Sequence, residues 1–236
     1  LKSNQINTID YRCFSNLINL IELSLTKNNL TYLDPFTFQN LKKLETLSLS
    51  NNQLKHIDSA LFSELINLKV LYLWSNRIKS INSKAFNNLI NLRTLWLNEN
   101  ELEFIDEEIF QNLSKLEILY LFSNKITSIH KNAFDSLKNL LELSLSKNQI
   151  KEIDQLVFKN LFNLNFLFLQ KNQLYSFDVK IYSYFPNLSF INLCSNPINL
   201  KNCDNLKKIK TNFNHSSYEK NTTSLFLESS GKKIFF

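Results

Sequence analysis

Five aromatic residues, Tyr72, Trp74, Trp96, Tyr120 and Phe122, recur at related spacings and include both tryptophans of the chain. Rings of this kind, held on one face, do the chemistry of recognition: they offer large apolar area together with an N–H or O–H handle. Residues equipped for bond-making are sparse by contrast. His56, His130 and His215 have no partner at ligand spacing, and the sequence has no HExxH, no Gly-rich phosphate loop and no nucleophile elbow. No catalytic residue, metal site or cofactor is expected, and the chain is not expected to be an enzyme.

The elements that position the rings come from a repeat. The pattern LxxLxLxxNxL, as in Leu68 to Ile78, returns every 24 residues without insertion or deletion from Leu1 to Asn196. Asn stands at 4, 28, 52, 76, 100, 124, 148, 172 and 196. In LxLxx the two Leu alternate with outward residues, which is the period of a short strand. The Asn then sits where the chain turns inward, and stacked turns let its amide bond the backbone of its own and the next turn. No single turn buries its own apolar face, so stability is a sum over neighbours.

Other columns fill in the return leg. Phe14, Phe38, Phe62, Phe86, Phe110, Phe134 and Phe158, closed by Tyr182, predict a stacked spine. Asp10, Asp34, Asp58, Asn82, Asp106, Asp154 and Asp178, broken by His130, are, Asn82 apart, carboxylates of the type used in catalysis or calcium binding. Opening a convex turn, a short polar side chain reads better as a cap on free N–H groups. Asn19, Asn67, Asn91, Asn139, Asn163 and Asn187, with Lys43 and Lys115 as exceptions, read as turn residues, expected to take the positions Gly would often hold in a chain whose one Gly is Gly231. Cys13 shares a column with Leu61, Ala85, Ile109, Ala133, Val157 and Ile181, so it is expected to be buried and not a nucleophile.

The outward strand positions define the candidate site. One column reads Ser24, Ser48, Tyr72, Trp96, Tyr120, Ser144, Phe168, Asn192; its neighbour reads Thr26, Ser50, Trp74, Asn98, Phe122, Ser146, Gln170, Cys194. Adjacent strands lie about 4.8 Å apart. Tyr72, Trp96 and Tyr120 should therefore form a ladder, with Trp74 and Phe122 flanking Asn98 and with Val70 and Ile118 on the other side. Arg77, Arg93, Glu99, Glu101 and Glu117 could supply a polar rim. Aromatics also favour strands for packing alone. The same column nevertheless accepts Ser at 24, 48 and 144, so the strand does not require a ring. A protein ligand is the expected occupant, with self-association as a competing use. Phe166, Phe168 and Phe190 form a second cluster close to the C-terminal end, where a structural role is the better reading.

Composition bounds the rest. The net charge of +6 is concentrated after residue 200, where seven Lys face three acids, so a solvated tail explains it and no nucleic-acid partner is expected. No apolar run is long enough to span a membrane. The chain has no Met and opens on Leu1, midway through a motif, which reads as a fragment or processed form.

The register of Leu44 to Lys69, LxxLxLxxNxLxxIxxxxFxxLxx, resembles the leucine-rich repeat, in its 24-residue typical subclass. The resemblance covers residues 1–200. It implies an α/β horseshoe solenoid, with a parallel β-sheet on the concave face and short turns or 3-10 segments on the convex face. Residues 201–236 would be a degenerate C-terminal cap and tail. The subclass is common in extracellular animal proteins. It implies a protein-binding scaffold at the cell surface or outside the cell, either a receptor or adhesion ectodomain or a secreted matrix protein. A non-animal repeat protein is a further reading. The family's cap often reads Asn-Pro then Cys-Asp-Cys; here Asn196 and Pro197 precede Cys203, Asp204 and Asn205. That leaves Cys194–Cys203 as the one pairing the resemblance suggests. Five glycosylation sequons occur, no more than 35 Asn would give by chance. Asn112, Asn214 and Asn221 are the better acceptors if the chain is secreted, and Asn187 the worse.

Overall fold

The computed structural model describes residues 1–177 and 179–198, without the side chains of 179, 180 and 182, and the backbone of Phe226–Ser229 and Lys232–Phe235. Eight three-residue strands, Glu22–Ser24, Thr46–Ser48, Val70–Tyr72, Thr94–Trp96, Ile118–Tyr120, Glu142–Ser144, Phe166–Phe168 and Phe190–Asn192, lie side by side. All pair in parallel, with each residue opposite its equivalent 24 positions on. The sheet continues through Lys232–Phe235, parallel to Phe190–Asn192, and Phe226–Ser229, antiparallel to that. This is the concave sheet of the expected solenoid.

The middle residue of each strand points inward and is buried, while the flanking two face the concave side. The Leu columns close into one continuous core. Across it runs the phenylalanine spine: Phe14, Phe38, Phe62, Phe86, Phe110 and Phe134 stack ring on ring, with centroids 6.1–6.5 Å apart. At the C-terminal end the pattern changes. Phe158 meets Phe185, which occupies the Leu161 column, at 5.6 Å; the Tyr182 side chain lies outside the described residues.

The convex return legs hold 3-10 turns at Tyr11–Phe14, Gln155–Phe158 and Val179–Tyr184. They also hold two small parallel pairs the sequence did not predict, His56–Ile57 with Ser80–Ile81 and Phe104–Ile105 with Ser128–Ile129. The Asp column caps these turns. Asp34, Asp58 and Asp154 each accept the N–H two residues on, at 2.9 Å. His130 does the same through Nδ1, accepting from Asn132 at 3.3 Å.

The inward Asn amides bridge turns as expected, but toward the preceding turn. Asn76 donates to the carbonyls of Leu73 and Leu49, both at 3.0 Å, and accepts from the N–H of Leu54 at 3.1 Å. Asn124 repeats the set one register on, with Leu121, Leu97 and Leu102. A second asparagine column forms its own ladder. Asn67, Asn91, Asn139 and Asn163 each donate to a carbonyl 25 residues earlier at 2.8 Å. The two lysines that interrupt it reach back to its members, Lys43 to Asn19 and Lys115 to Asn91, both at 2.7 Å.

Two expectations need correction. The second Asn column does not take the positions a Gly would hold. Apart from Asn40, the left-handed backbone falls one residue before each inward Asn, at Ser3, Lys27, Asn51, Ser75, Glu99, Ser123, Lys147, Lys171 and Ser195. There the chain bends off the strand, and eight of the nine are not Asn. Cys13 is exposed, not buried. Its column is covered by the turn before it, and no described turn stacks ahead of Tyr11–Phe14; Leu17 is exposed for the same reason, although Leu41 and Leu65 are buried.

Candidate binding face

Strand alternation puts Thr94, Trp96 and Asn98 on the concave side, and the parallel register sets Tyr72 and Tyr120 beside Trp96. The rings of Tyr72 and Trp96 meet edge-on with centroids 4.8 Å apart. Trp96 and Tyr120 lie 5.2 Å apart, tilted at 31°. Tyr120 and Phe122, on one strand, are 5.8 Å apart. The ladder is thus a contiguous surface of half-buried rings. Such pairs contribute about 0.5–1.5 kcal/mol each beyond burial, so the rings also stabilise the sheet they decorate. Trp74 has no ring contact within the ladder among the described residues. The hydrogen bonds Ser75 N–H to Asn98 O, 3.1 Å, and Glu99 N–H to Phe122 O, 2.9 Å, place Trp74 and Phe122 on either side of Asn98.

Hydroxyl-bearing strands border the rings. Thr26 and Ser48 share a hydrogen bond of 2.6 Å, and Ser144 and Ser146 one of 3.3 Å. The Tyr120 hydroxyl donates to Glu142 at 2.7 Å, which fixes the end of the ladder. The second cluster is also formed: Phe190 lies 6.4 Å from Phe166 and 5.3 Å from Phe168.

The expected rim is largely engaged in pairs. Arg93 bonds Glu117, Ser75 donates to Glu99, and Glu101 accepts from Lys125 at 2.8 Å. The Lys125 bond holds the Glu101 carboxyl below its ordinary pKa and the ammonium above its own. Arg77 is exposed. A depression of about 440 Å³ lined by Arg93, Lys115, Glu117, Asn139, Leu141 and Asn163 lies along the edge that leads into the strands, apart from the rings.

Among the described residues, no group of three or more His, Cys, Asp or Glu could hold a metal ion, and no helix is long and apolar enough to cross a membrane. Asn112 is exposed, yet its amide donates to Asn87 O at 3.2 Å, much as Asn187 donates to Phe162 O at 3.0 Å. Cys203, and with it the suggested pairing to Cys194, lies outside the described residues, as do Asn214 and Asn221.

The leucine-rich repeat family model matches residues 18–68, 66–126 and 116–174. No curated protein matches the sequence. Among solved structures, the chain is similar to a leucine-rich repeat protein of Leptospira interrogans, with 33% identity over 86% of this chain and 50% of that one, at a TM-score of 0.77. It is also similar to TLR13 in a TLR13–ssRNA13 complex, with 31% identity over 80% of this chain and 27% of that one, at a TM-score of 0.75. The chain therefore spans half or less of the length of these neighbours. With 24-residue turns, an Asn ladder and a parallel concave sheet, the chain belongs to the leucine-rich repeat family and is built as a binding scaffold.

Proposed function

We propose that the chain is a non-catalytic scaffold that holds a protein partner against Tyr72, Trp74, Trp96, Tyr120 and Phe122. The observation that carries this is a contiguous aromatic surface in a column the fold fills equally well with serine. Half-buried Trp and Tyr on a rigid sheet lose little conformational freedom on binding, which makes them efficient contact residues. The setting we infer is the ectodomain of a cell-surface receptor or adhesion protein. A secreted matrix protein is the alternative, and both rest on the repeat subclass. The bacterial neighbour keeps a non-animal repeat protein in play.

One neighbour is a complex with single-stranded RNA, and bases stack on aromatic rings. Against such an occupant here, Glu142, bonded to the Tyr120 hydroxyl, and Glu99, next to Asn98 in the chain, put carboxylates beside the ladder that repel phosphates. The test compares wild type with a Trp74→Ser/Trp96→Ser variant in partner capture, at a temperature where both are folded. Loss of capture supports the reading, and full retention sinks it. Tight binding of polyuridylate that weakens steeply with salt would instead favour the nucleic acid.

A further inference from the structure

At the centre of the aromatic face stand two buried polar groups that the fold does not use. Asn98 is 4% exposed. Its side-chain oxygen has no hydrogen-bond partner among the described residues, nor has the indole Nε1 of Trp96 on the same strand. Asn100, two residues on, makes the contrast: its amide donates to Leu73, Leu97 and Asn98 and accepts from Ile78. Much of the backbone around Asn98 is also engaged. Its carbonyl accepts from Ser75 N–H and from Asn100, while Leu97 and Glu99 donate to Tyr120 and Phe122. What remains is one indole donor and one carboxamide. Leaving such groups buried and unpaired costs about 1–3 kcal/mol each, so their place between Trp74 and Phe122 asks for a ligand group that pairs with them.

We propose that Asn98 and the indole N–H of Trp96 form a polar subsite that takes a side-chain carboxamide, an Asn or Gln presented by the protein partner. This rests on the reading of the aromatic face as the contact surface. A carboxamide carries both a carbonyl for the indole N–H and an N–H for the Asn98 oxygen. A carboxylate supplies no donor and meets the surrounding Glu residues. An ammonium supplies no acceptor, and an apolar group leaves both atoms unpaired. The flanking rings of Trp74 and Phe122 lie two strands apart, about 10 Å by strand spacing.

The chain has two tryptophans, so its two indole N–H resonances report the site directly. Titrating ¹⁵N-labelled protein with N-acetylglutamine N-methylamide should move the Trp96 resonance saturably, in roughly the millimolar range expected of so small a ligand. N-acetylleucine N-methylamide, which carries the same secondary main-chain amides but no primary carboxamide, should not move it. Asn98→Leu should abolish the shift while leaving the melting temperature unchanged or higher. Asn98→Ser, the residue the column holds at 50 and 146, guards against misfolding and should abolish it too. Equal movement with both probes, no movement with either, or movement that survives both variants overturns the subsite. Capture separates the two readings. If Trp74→Ser loses the partner and Asn98→Leu keeps it fully, the subsite alone fails. If both keep it, the face reading fails with it.

Discussion

The side-chain oxygen of Asn76 accepts the N–H of Leu54 at 3.1 Å, across 22 residues of sequence and one turn of the solenoid. The same amide donates to Leu49 and Leu73, so one side chain satisfies three buried backbone groups. Asn76→Ala should therefore destabilise by about 2 kcal/mol, because it orphans the buried Leu54 N–H, while the Leu49 and Leu73 carbonyls keep a donor each in Asn52 and Asn100. Chemical denaturation of wild type and variant measures it. A loss below about 1 kcal/mol would mean that water replaces the amide without penalty.

Much of this was readable beforehand, for a physical reason. A buried amide repeated at one spacing has one economical solution, which is to bond the backbone of its own turn and of a neighbour, and the sequence printed that spacing. The ring ladder was legible too, since a 24-residue period and a parallel register leave Tyr72, Trp96 and Tyr120 no other arrangement. The left-handed column was not. Ser75, Glu99, Ser123 and Lys147 share no chemistry beyond tolerance of the conformation, and no Gly marks the place. The unpaired atoms of Trp96 and Asn98 were equally hidden, because hydrogen-bond satisfaction depends on the rotamers of neighbouring strands. Cys13 was misread by trusting its column, which predicts burial only where turns stack on both sides.

Trp96 and Trp74 should differ in what they do for stability. The Trp96 ring touches Tyr72 at 4.8 Å and Tyr120 at 5.2 Å. Trp96→Ser removes both pairs and should cost about 2 kcal/mol. Trp74→Ser, outside the ladder, should cost about 1 kcal/mol or less. Urea denaturation of the two single variants checks the order. The reverse order would mean that Trp74 is the packed ring.

Lys147 adopts a φ of 54° three residues past the strand Glu142–Ser144. Glycine takes this conformation freely but loses more entropy on folding, so Lys147→Gly should stay within about 0.5 kcal/mol of wild type. Lys147→Val, whose branched Cβ meets the following carbonyl, should lose about 1–2 kcal/mol. Thermal melts of the pair read out the backbone demand, because the side chain is exposed in both cases.

The two described cysteines should separate kinetically. Cys13 is exposed, whereas Cys194 is half-buried and burial pushes its thiol pKa up. Thiolate fraction and access both set the rate. In a Cys203→Ser background, one thiol should react rapidly with a disulfide reagent at neutral pH and the other slowly, and Cys13→Ser should remove the fast phase. Two equal phases would return Cys13 to the buried position its column suggested.

Asp10 caps the first 3-10 turn and is gripped by Arg12, which donates from Nη2 at 2.8 Å, Nε at 3.0 Å and its backbone N–H at 2.9 Å. The Arg12 side-chain bonds, and after them its backbone N–H, bring the Asp10 carboxyl from 3.8 down to about 2. The folded value lies below the unfolded one, so stability rises with pH across the interval between them. The contribution is present in full above about pH 4 and is lost as pH falls through about 2. Both groups are exposed, so the effect on global stability is small and screened by salt. The titration itself is the sharper measurement. Carboxyl ¹³C shifts should place the Asp10 midpoint well below the ordinary aspartate range. Arg12→Ala should raise it toward the ordinary aspartate range while leaving the backbone N–H bond as a residual downward pull. An Asp10 midpoint that ignores the substitution would assign the cap to the backbone alone.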